Sequence, residues 1–208
     1  MKKLLISLEG IDGSGKSTQL GFLAEMLQSQ GQNPLILREP GGTTLGERVR
    51  EILLDGSVQR SAVAELLLFC SARAELVRRV ILPALDDGRV VILDRFIDST
   101  RAYQGYGLGL DATVIDAALK IATGGLVPAL TILLDLEAEV GLQRAATVSG
   151  GVADAIEGRE LAFMERVRQG YLALAEREPE RFLTIPATKP REEIAQLINE
   201  RVLKLLNS

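Results

Sequence analysis

A glycine-rich segment near the start of the chain constrains the fold more than any other feature. Residues 10–18 read Gly-Ile-Asp-Gly-Ser-Gly-Lys-Ser-Thr, which gives the spacing G-x-x-x-x-G-K-S from Gly10 to Ser17. The residues just before it are apolar and β-prone, and those after it carry apolar residues at helical spacing. Between a strand and a helix, such a loop turns successive backbone N–H groups toward a phosphate. The segment therefore predicts a nucleoside triphosphate site.

Two side chains of this loop have predicted roles of their own. Lys16 can reach the β- and γ-phosphates, and the Ser17 hydroxyl can ligate Mg²⁺. Because Lys16 lies in a loop, we expect its side chain to face solvent rather than the core.

Composition narrows the class of protein further. A chain of 208 residues with 47% hydrophobic and 25% charged residues can bury one sizeable core, so we expect a single domain over residues 1–208. A formal net charge of −4 argues against a protein that coats nucleic acid. The lone cysteine, Cys70, suits a reducing cytosol, and no apolar run approaches the length of a bilayer span. Histidine is absent, which phosphoryl transfer tolerates.

Strand-like and helical segments alternate along the chain. The predicted strands are Leu4–Leu8, Pro34–Leu37, Val90–Leu93, Leu130–Leu134 and Phe182–Ile185. Helical patterns occupy about 17–30, 44–54, 61–86, 111–123, 137–146, 158–177 and 190–206. This alternation predicts an α/β fold of the P-loop NTPase type, with three α/β/α layers around a five-stranded parallel sheet.

Polar motifs follow the predicted strands at the ends where ligands collect in such sheets. Glu9 and the phosphate loop follow the first strand, and the segment Arg38-Glu39-Pro40-Gly41-Gly42-Thr43 follows the second. Asp94-Arg95-Phe96 follows the third, and the fourth ends at Asp135. The clustering favours a catalytic cleft over scattered surface charge.

A second phosphate-bearing substrate needs cations beyond those of the loop. Arg95 offers a planar fork that matches a phosphate, beside Asp94, a carboxylate that can organise metal-bound water. The alternative is a surface ion pair between these two neighbours. Phe69 and Arg73 lie four residues apart on one helix face, where a ring and a fork can hold a base. The alternative for Phe69 is the core.

The Gly-rich segment 99–109, which we interpret as a loop, carries Tyr103 and Gln104. This ring and amide are further candidates for contact with a base, although packing is an alternative.

These motifs, in this order, resemble the thymidylate kinase family over essentially the whole chain. The resemblance rests on the following segments: Leu8-Glu9-Gly10 with the phosphate loop, Arg38 to Thr43, Phe69 with Arg73, Asp94-Arg95-Phe96, Ser99-Thr100, Ala102-Tyr103-Gln104-Gly105, and Asp154-Ala155-Ile156-Glu157. It implies transfer of the γ-phosphoryl group of ATP to dTMP with Mg²⁺, which gives dTDP for DNA synthesis. It further implies a cytoplasmic homodimer built by packing helices, with no nucleic acid or membrane partner.

The resemblance also implies roles for single residues in phosphoryl transfer. Asp12 matches the loop carboxylate that faces the acceptor sugar or the metal, and Glu39 resembles the one that helps to hold Mg²⁺. Arg95 matches the arginine that clamps the dTMP phosphate. The implied catalytic residues are Lys16, Asp94, Arg95, Glu39 and Asp12, and the implied metal ligands are Ser17, Asp94 and Glu39. The implied donor-binding residues are Gly10, Ile11, Asp12, Gly13, Ser14, Gly15, Lys16, Ser17, Thr18 and Arg144.

Acceptor recognition is implied in the same way. Phe69 resembles the residue that stacks on thymine, and Tyr103 is similar to the ring that leaves little room for a 2′-hydroxyl. The implied acceptor-binding residues are Glu39, Arg50, Phe69, Arg73, Arg95, Ser99, Thr100, Tyr103 and Gln104.

One segment departs from the family pattern. The lid, at about 145–157, has no basic residue, and Ala155 stands where the family has an arginine between Asp154 and Glu157. Because such an arginine can contribute roughly 10³–10⁵ in rate, either another cation substitutes or turnover is low. Arg144 and Arg159 are the nearest cations in the sequence.

Other functions remain open at this point. A kinase for another nucleoside or nucleotide would keep the loop and Asp94-Arg95 but change the acceptor pocket, and a catalytically weak dimeric relative would fit the altered lid. A GTP-driven switch would need an Asn-Lys-x-Asp motif, which the chain lacks.

Overall fold

Five parallel strands form the central sheet of this protein in a computed structural model that describes residues 4–148 and 160–207. Their order across the sheet is β2-β3-β1-β4-β5, and each neighbouring pair is parallel. The strands are Leu5–Glu9 (β1), Leu35–Arg38 (β2), Val91–Asp94 (β3), Leu130–Asp135 (β4) and Phe182–Pro186 (β5). The predicted sheet is confirmed.

Helices cover both faces of this sheet. Leu4, Ile6 and Leu8 pack into one apolar cluster with the helices that begin at Lys16, Leu161 and Arg191, whereas Leu5 packs into another with the helices that begin at Ala62, Leu82 and Ala112. Alternation of this kind is what a strand buried on both sides requires. The helices are Lys16–Ser29 (α1), Thr44–Leu54 (α2), Ala62–Leu76 (α3), Leu82–Asp86 (α4), Ile97–Thr100 (α5), Ala112–Thr123 (α6), Ala138–Val148 (α7), Leu161–Arg177 (α8) and Arg191–Leu206 (α9).

Two segments differ from the sequence-based expectation. The predicted helix over 61–86 is α3 and α4 joined by a π-helical turn, Val77–Ile81. Pro83, just inside α4, has no N–H to donate, so the hydrogen-bond ladder changes register before it.

The segment 99–109, expected to be a loop, is largely helical. Helix α5 continues into a second π-helical segment, Arg101–Gly107. A Cβ at Gly107 would lie 2.7 Å from the Phe163 ring, so this glycine permits close packing against α8 rather than a turn. Reading glycine as a turn signal was the error.

Register brings the strand ends together at one edge of the sheet. Asp94 lies opposite Leu8 on one side and Arg38 on the other, and Glu9 lies opposite Leu133. The polar motifs that follow β1, β2 and β3 therefore converge there, as predicted. In the described ranges, none of the helices is both long and apolar enough to cross a membrane.

Candidate active site

The phosphate loop occupies residues 10–15, between β1 and α1. Gly15 precedes the first turn of α1 with a φ of 91°, a left-handed conformation that suits glycine, and no side chain caps the helix there. The first-turn N–H groups and the positive end of the helix dipole thus point into the loop. Ser17 and Thr18 follow on this turn and are exposed.

Lys16 lies against the loop that precedes it. Its Nζ donates hydrogen bonds to the carbonyl oxygens of Gly10 and Ile11, both at 3.1 Å. The residue is only 7% exposed, so the expectation that Lys16 faces solvent is wrong. Burial and the nearby charge of Arg95 lower the pKa of its ammonium group. The amine is thereby held where phosphate oxygens would meet the loop.

Arg95 reaches the phosphate loop from the end of β3. Its Nη2 donates to Oδ1 of Asp12 at 2.6 Å, and its Nη1 donates to the carbonyl oxygen of Gly10 at 3.0 Å. Burial alone would raise the pKa of Asp12, but the charges of Arg95 and Lys16 outweigh it and lower the pKa. The alternative considered from the sequence, a surface ion pair between Asp94 and Arg95, is not what the structure shows, because Arg95 pairs with Asp12.

The backbone of Arg95 is itself unusual, with a φ of 71°. A non-glycine residue rarely adopts this left-handed conformation, and such strain is concentrated at functional sites. The backbone just after Arg95 is held in place by a hydrogen bond, because the N–H of Phe96 donates to Oε1 of Glu9 at 2.8 Å.

Glu9 anchors this region from beneath. Its Oε2 accepts hydrogen bonds from the hydroxyls of Ser99 at 2.6 Å and Tyr171 at 3.1 Å. Burial, together with the charge of Asp98, raises the pKa of Glu9 to about 7. Sequence reasoning noted Glu9 only as a strand end and missed this role. The available signal was a carboxylate at the end of an otherwise apolar strand.

A cleft of about 610 Å³, including its open mouth, lies beside the phosphate loop. All nine predicted acceptor-binding residues line it, as do Asp12, Pro40 and Leu54. Strand ends and α3 indicated Glu39, Phe69, Arg73 and Arg95, whereas Arg50, Ser99 and Thr100 were assigned only through the family resemblance.

The cleft wall contains a buried ion pair. Arg73 is 1% exposed, and its Nε donates to Oε2 of Glu39 at 2.7 Å. Its other guanidinium nitrogens donate to Thr100 Oγ1 at 2.8 Å and to the carbonyl oxygen of Phe96 at 3.0 Å. Arg73 therefore joins α3, the loop after β2 and α5, and much of its hydrogen-bonding capacity is used within the protein.

Comparison with known proteins decides the family. A protein-family model described as thymidylate kinase matches residues 8–198. The thymidylate kinase of Deinococcus radiodurans is 49% identical over 191 residues, which cover 92% of each chain. That of Desulfovibrio desulfuricans is 50% identical over 201 residues, covering 92% of this chain and 91% of the other. This chain belongs to the thymidylate kinase family. A crystal structure of thymidylate kinase from Ehrlichia chaffeensis matches all of both chains, with a TM-score of 0.77 and 34% identity.

Two rings face the cleft in this member of the thymidylate kinase family. Phe69 is half-buried, because it packs beside the apolar cluster of Val49, Leu53 and Ala72 while also lining the cleft. Tyr103 is 5% exposed, and the Arg95 guanidinium lies 5.0 Å from the centre of its ring. Both alternatives raised for Phe69, core packing and a cleft surface, thus apply together.

The small polar residues of the cleft bind other protein groups. Ser99 and Thr100 accept from Arg95 and Arg73, and Gln104 Nε2 donates to Glu65 Oε1 at 2.9 Å. These residues line the cleft, but the hydrogen bonds fix the cleft wall. Arg50 donates to the carbonyl oxygen of Pro40 at 3.2 Å and lies at the same wall.

Two buried carboxylate oxygens, one of them on the cleft-lining residue Glu39, suit a divalent cation. Glu39 Oε1 and Asp94 Oδ1 have no hydrogen-bond partner within the described part of the chain. An oxygen-seeking ion such as Mg²⁺ would satisfy such atoms, and it commonly uses one or two carboxylates beside substrate phosphates. The predicted ligands Glu39 and Asp94 thus fit the ion, and the third predicted ligand, Ser17, is exposed on the first turn of α1.

Arg144 lies on α7 beside the phosphate loop and is exposed, with Nη1 donating to the carbonyl oxygen of Ala187 at 3.2 Å. Most of the predicted lid, including Asp154, Ala155 and Glu157, and also Arg159, lies outside the described residues.

Proposed function

We propose that this protein transfers the γ-phosphoryl group of ATP to dTMP, forming dTDP and ADP, with Mg²⁺ as the metal. The observation that carries the proposal is the hydrogen bond between Arg95 and Asp12 at 2.6 Å. It joins the loop that would hold the donor to the cleft that would hold the acceptor. Family membership supplies the reaction and the acceptor.

The donor side depends on the phosphate loop. Backbone N–H groups at the start of α1 bind phosphate oxygens, and Lys16 supplies a positive charge next to them. Its Nζ can exchange the carbonyls of Gly10 and Ile11 for phosphate oxygens with little movement of the helix. Phosphoryl transfer depends mainly on such positioning and electrostatics.

The acceptor side depends on Arg95 and two rings. The Arg95 guanidinium lies at the junction of the cleft and the phosphate loop, where it binds the acceptor phosphate and aligns it with the donor. Phe69 supplies a flat apolar face for thymine. Tyr103 fills the space next to Arg95, which disfavours a ribose bearing a 2′-hydroxyl.

Glu39 and Asp94 are the proposed protein ligands of Mg²⁺, with Ser17 at the loop. The ion supplies neutralisation of charge on the phosphates when it is bound. Arg73 holds Glu39 in position through Oε2, so that Oε1 remains available. Burial raises the pKa of Glu39, and the charge of Arg73 works against that increase.

We also propose that the protein is a cytoplasmic homodimer and that each subunit forms the single domain expected from the sequence. Exposed apolar side chains on α3 and α6 support the dimer: Val63 is 49% exposed, Leu67 56%, Val114 49% and Ile121 80%. They recur at helical spacing on two helices that pack against each other. A surface of this kind is typical of a protein interface. Sedimentation velocity would measure whether the protein is a dimer.

The alternatives are a kinase for another nucleotide and a catalytically weak relative. They are separated by mixing the protein with ATP, dTMP and Mg²⁺ and following dTDP by ³¹P nuclear magnetic resonance. We expect dTDP to form, to stop when a chelator removes the metal, and to fall below a few per cent in Lys16→Ala. Absence of dTDP with the unaltered protein would contradict the proposal.

A further inference from the structure

Helix α7 passes behind the phosphate loop in direct contact with its backbone. A Cβ placed on Gly141 of this helix would lie 2.6 Å from Ile11 Cδ1 and 2.8 Å from the carbonyl oxygen of Asp12. A Cβ on Gly13 would lie 2.4 Å from the carbonyl oxygen of Gly141. Helix and loop therefore meet closely at two glycines, with the Ile11 side chain packed against Gly141.

The helix needs a glycine at position 141 because any side chain there would clash with the phosphate loop. A glycine in a helix interior costs about 1 kcal/mol relative to alanine. Gly141 has an ordinary helical φ, so its conformation does not demand glycine. Gly21, in the interior of α1, offers a contrast, because a Cβ there would meet no atom within 4 Å. Of these two helical glycines, only Gly141 lacks room for a methyl group beside the phosphate loop.

The contact reaches both halves of the proposed reaction. The residue pressed against Gly141, Asp12, carries the carboxylate that accepts from Arg95 Nη2 at 2.6 Å and lies 3.9 Å from Lys16 Nζ. The position of the Asp12 backbone therefore sets the position of two cations. On the other side, Arg144 ties α7 to the carbonyl oxygen of Ala187, after β5. Helix α7 is fixed from both directions.

We propose that Gly141 is a positioning residue for phosphoryl transfer. Without a side chain, it lets α7 form a close back wall for residues 11–13, which holds Asp12, and through it Arg95, in line with the donor. This inference rests on the proposed function and adds to it a residue that lies outside the cleft. Displacement of reacting groups by about 1 Å can lower a rate by about 10²-fold.

The test compares Gly141→Ala with Gly21→Ala in the full chain. Both substitutions add one methyl group to a helix, but only the first crowds the phosphate loop. We expect Gly141→Ala to lower kcat with dTMP by about 10- to 100-fold, and Gly21→Ala to leave kcat within about twofold. If Gly141→Ala folds poorly, Ile11→Val combined with Gly141→Ala removes the nearest methyl group and should recover folding while the Asp12 carbonyl remains crowded.

A double-mutant cycle distinguishes positioning from general damage. If Gly141 acts through Asp12, then Gly141→Ala should have little further effect on kcat in an Asp12→Ala background. An equal loss in both backgrounds, or a kcat for Gly141→Ala as high as that for Gly21→Ala, would overturn the inference. An unaltered protein that forms no dTDP would contradict the proposed function and this inference together.

Discussion

Arg95 Nη2 and Asp12 Oδ1 lie 2.6 Å apart, although 83 residues separate them in the chain. Their proximity follows from the sheet order, because β1 and β3 are neighbours and each ends at the same edge. The pair thus fixes the acceptor arginine against the phosphate loop before any substrate contact is considered. A phosphate bound by Arg95 would consequently lie next to the donor loop.

We expect Arg95→Ala to raise the KM for dTMP and lower kcat, with a loss of about 10²-fold or more in kcat/KM, because the arginine both binds and aligns the phosphate. Since Arg95 also donates to Gly10, we expect a smaller rise in the KM for ATP. Steady-state kinetics measure both constants. Arg89→Ala, before β3, is the control. Unchanged dTMP affinity by calorimetry would reassign Arg95 to a structural role.

Tyr103→Ala should weaken discrimination against the ribonucleotide, because the ring fills the space beside Arg95. We expect the ratio of kcat/KM for dTMP to that for ribothymidine monophosphate to fall by about tenfold, which corresponds to about 1.4 kcal/mol. Tyr103→Phe keeps the ring and should preserve the ratio. Comparing two substrates on one variant cancels any loss from the cavity itself. An equal ratio in Tyr103→Ala and the unaltered protein would assign the ring to packing alone.

The sequence allowed the sheet and most of its helices to be predicted from apolar periodicity, and the convergence of polar motifs from their positions at strand ends. The full lining of the cleft was predicted only through the family resemblance. Contacts between distant side chains could not be predicted. Arg95 pairs with Asp12 rather than Asp94, and its backbone is left-handed, which the sequence pattern does not indicate for an arginine. Lys16 is buried because its side chain folds back over the carbonyl oxygens of Gly10 and Ile11. The spacing of residues in the sequence does not indicate such a contact.

A buried network around Asp98 offers a test of stability. Asp98 is fully buried and accepts from Arg181 Nη1 at 2.6 Å and Nη2 at 3.0 Å. Burial alone would lower the pKa of Arg181, but its hydrogen bonds to Glu178 and Asp98 raise it. Arg181→Met leaves this carboxylate without its main partner, so we expect a loss of about 3–5 kcal/mol in the free energy of unfolding. Urea denaturation measures it.

The matched control is Arg48→Met, which removes an exposed pair with Glu51 and should change the free energy of unfolding by less than about 0.5 kcal/mol. If Arg181→Met changed the free energy of unfolding as little as the control is expected to, the buried network would add nothing to stability.

Glu9 makes stability depend on pH. Its pKa rises from 4.5 to about 7 on folding, so the folded state retains a proton that the unfolded state loses in this window. The contribution of Glu9 is present below pH 4.5 and is lost as the pH rises through 7. The difference corresponds to roughly 3 kcal/mol. Relative to Glu9→Gln, the unaltered protein should therefore lose stability between pH 4.5 and 8 in urea denaturation. A difference independent of pH would contradict the raised pKa.

The central claim is that the cleft beside the phosphate loop selects dTMP as phosphoryl acceptor. A coupled assay of ADP release, with ATP, Mg²⁺ and one monophosphate at a time, tests it most directly. We expect dTMP to give the highest kcat/KM in a panel that includes dUMP, dCMP, dAMP, dGMP and ribothymidine monophosphate, and we expect Lys16→Ala to abolish release with all of them. A higher kcat/KM for another monophosphate, or ADP release that does not depend on an acceptor, would contradict the account.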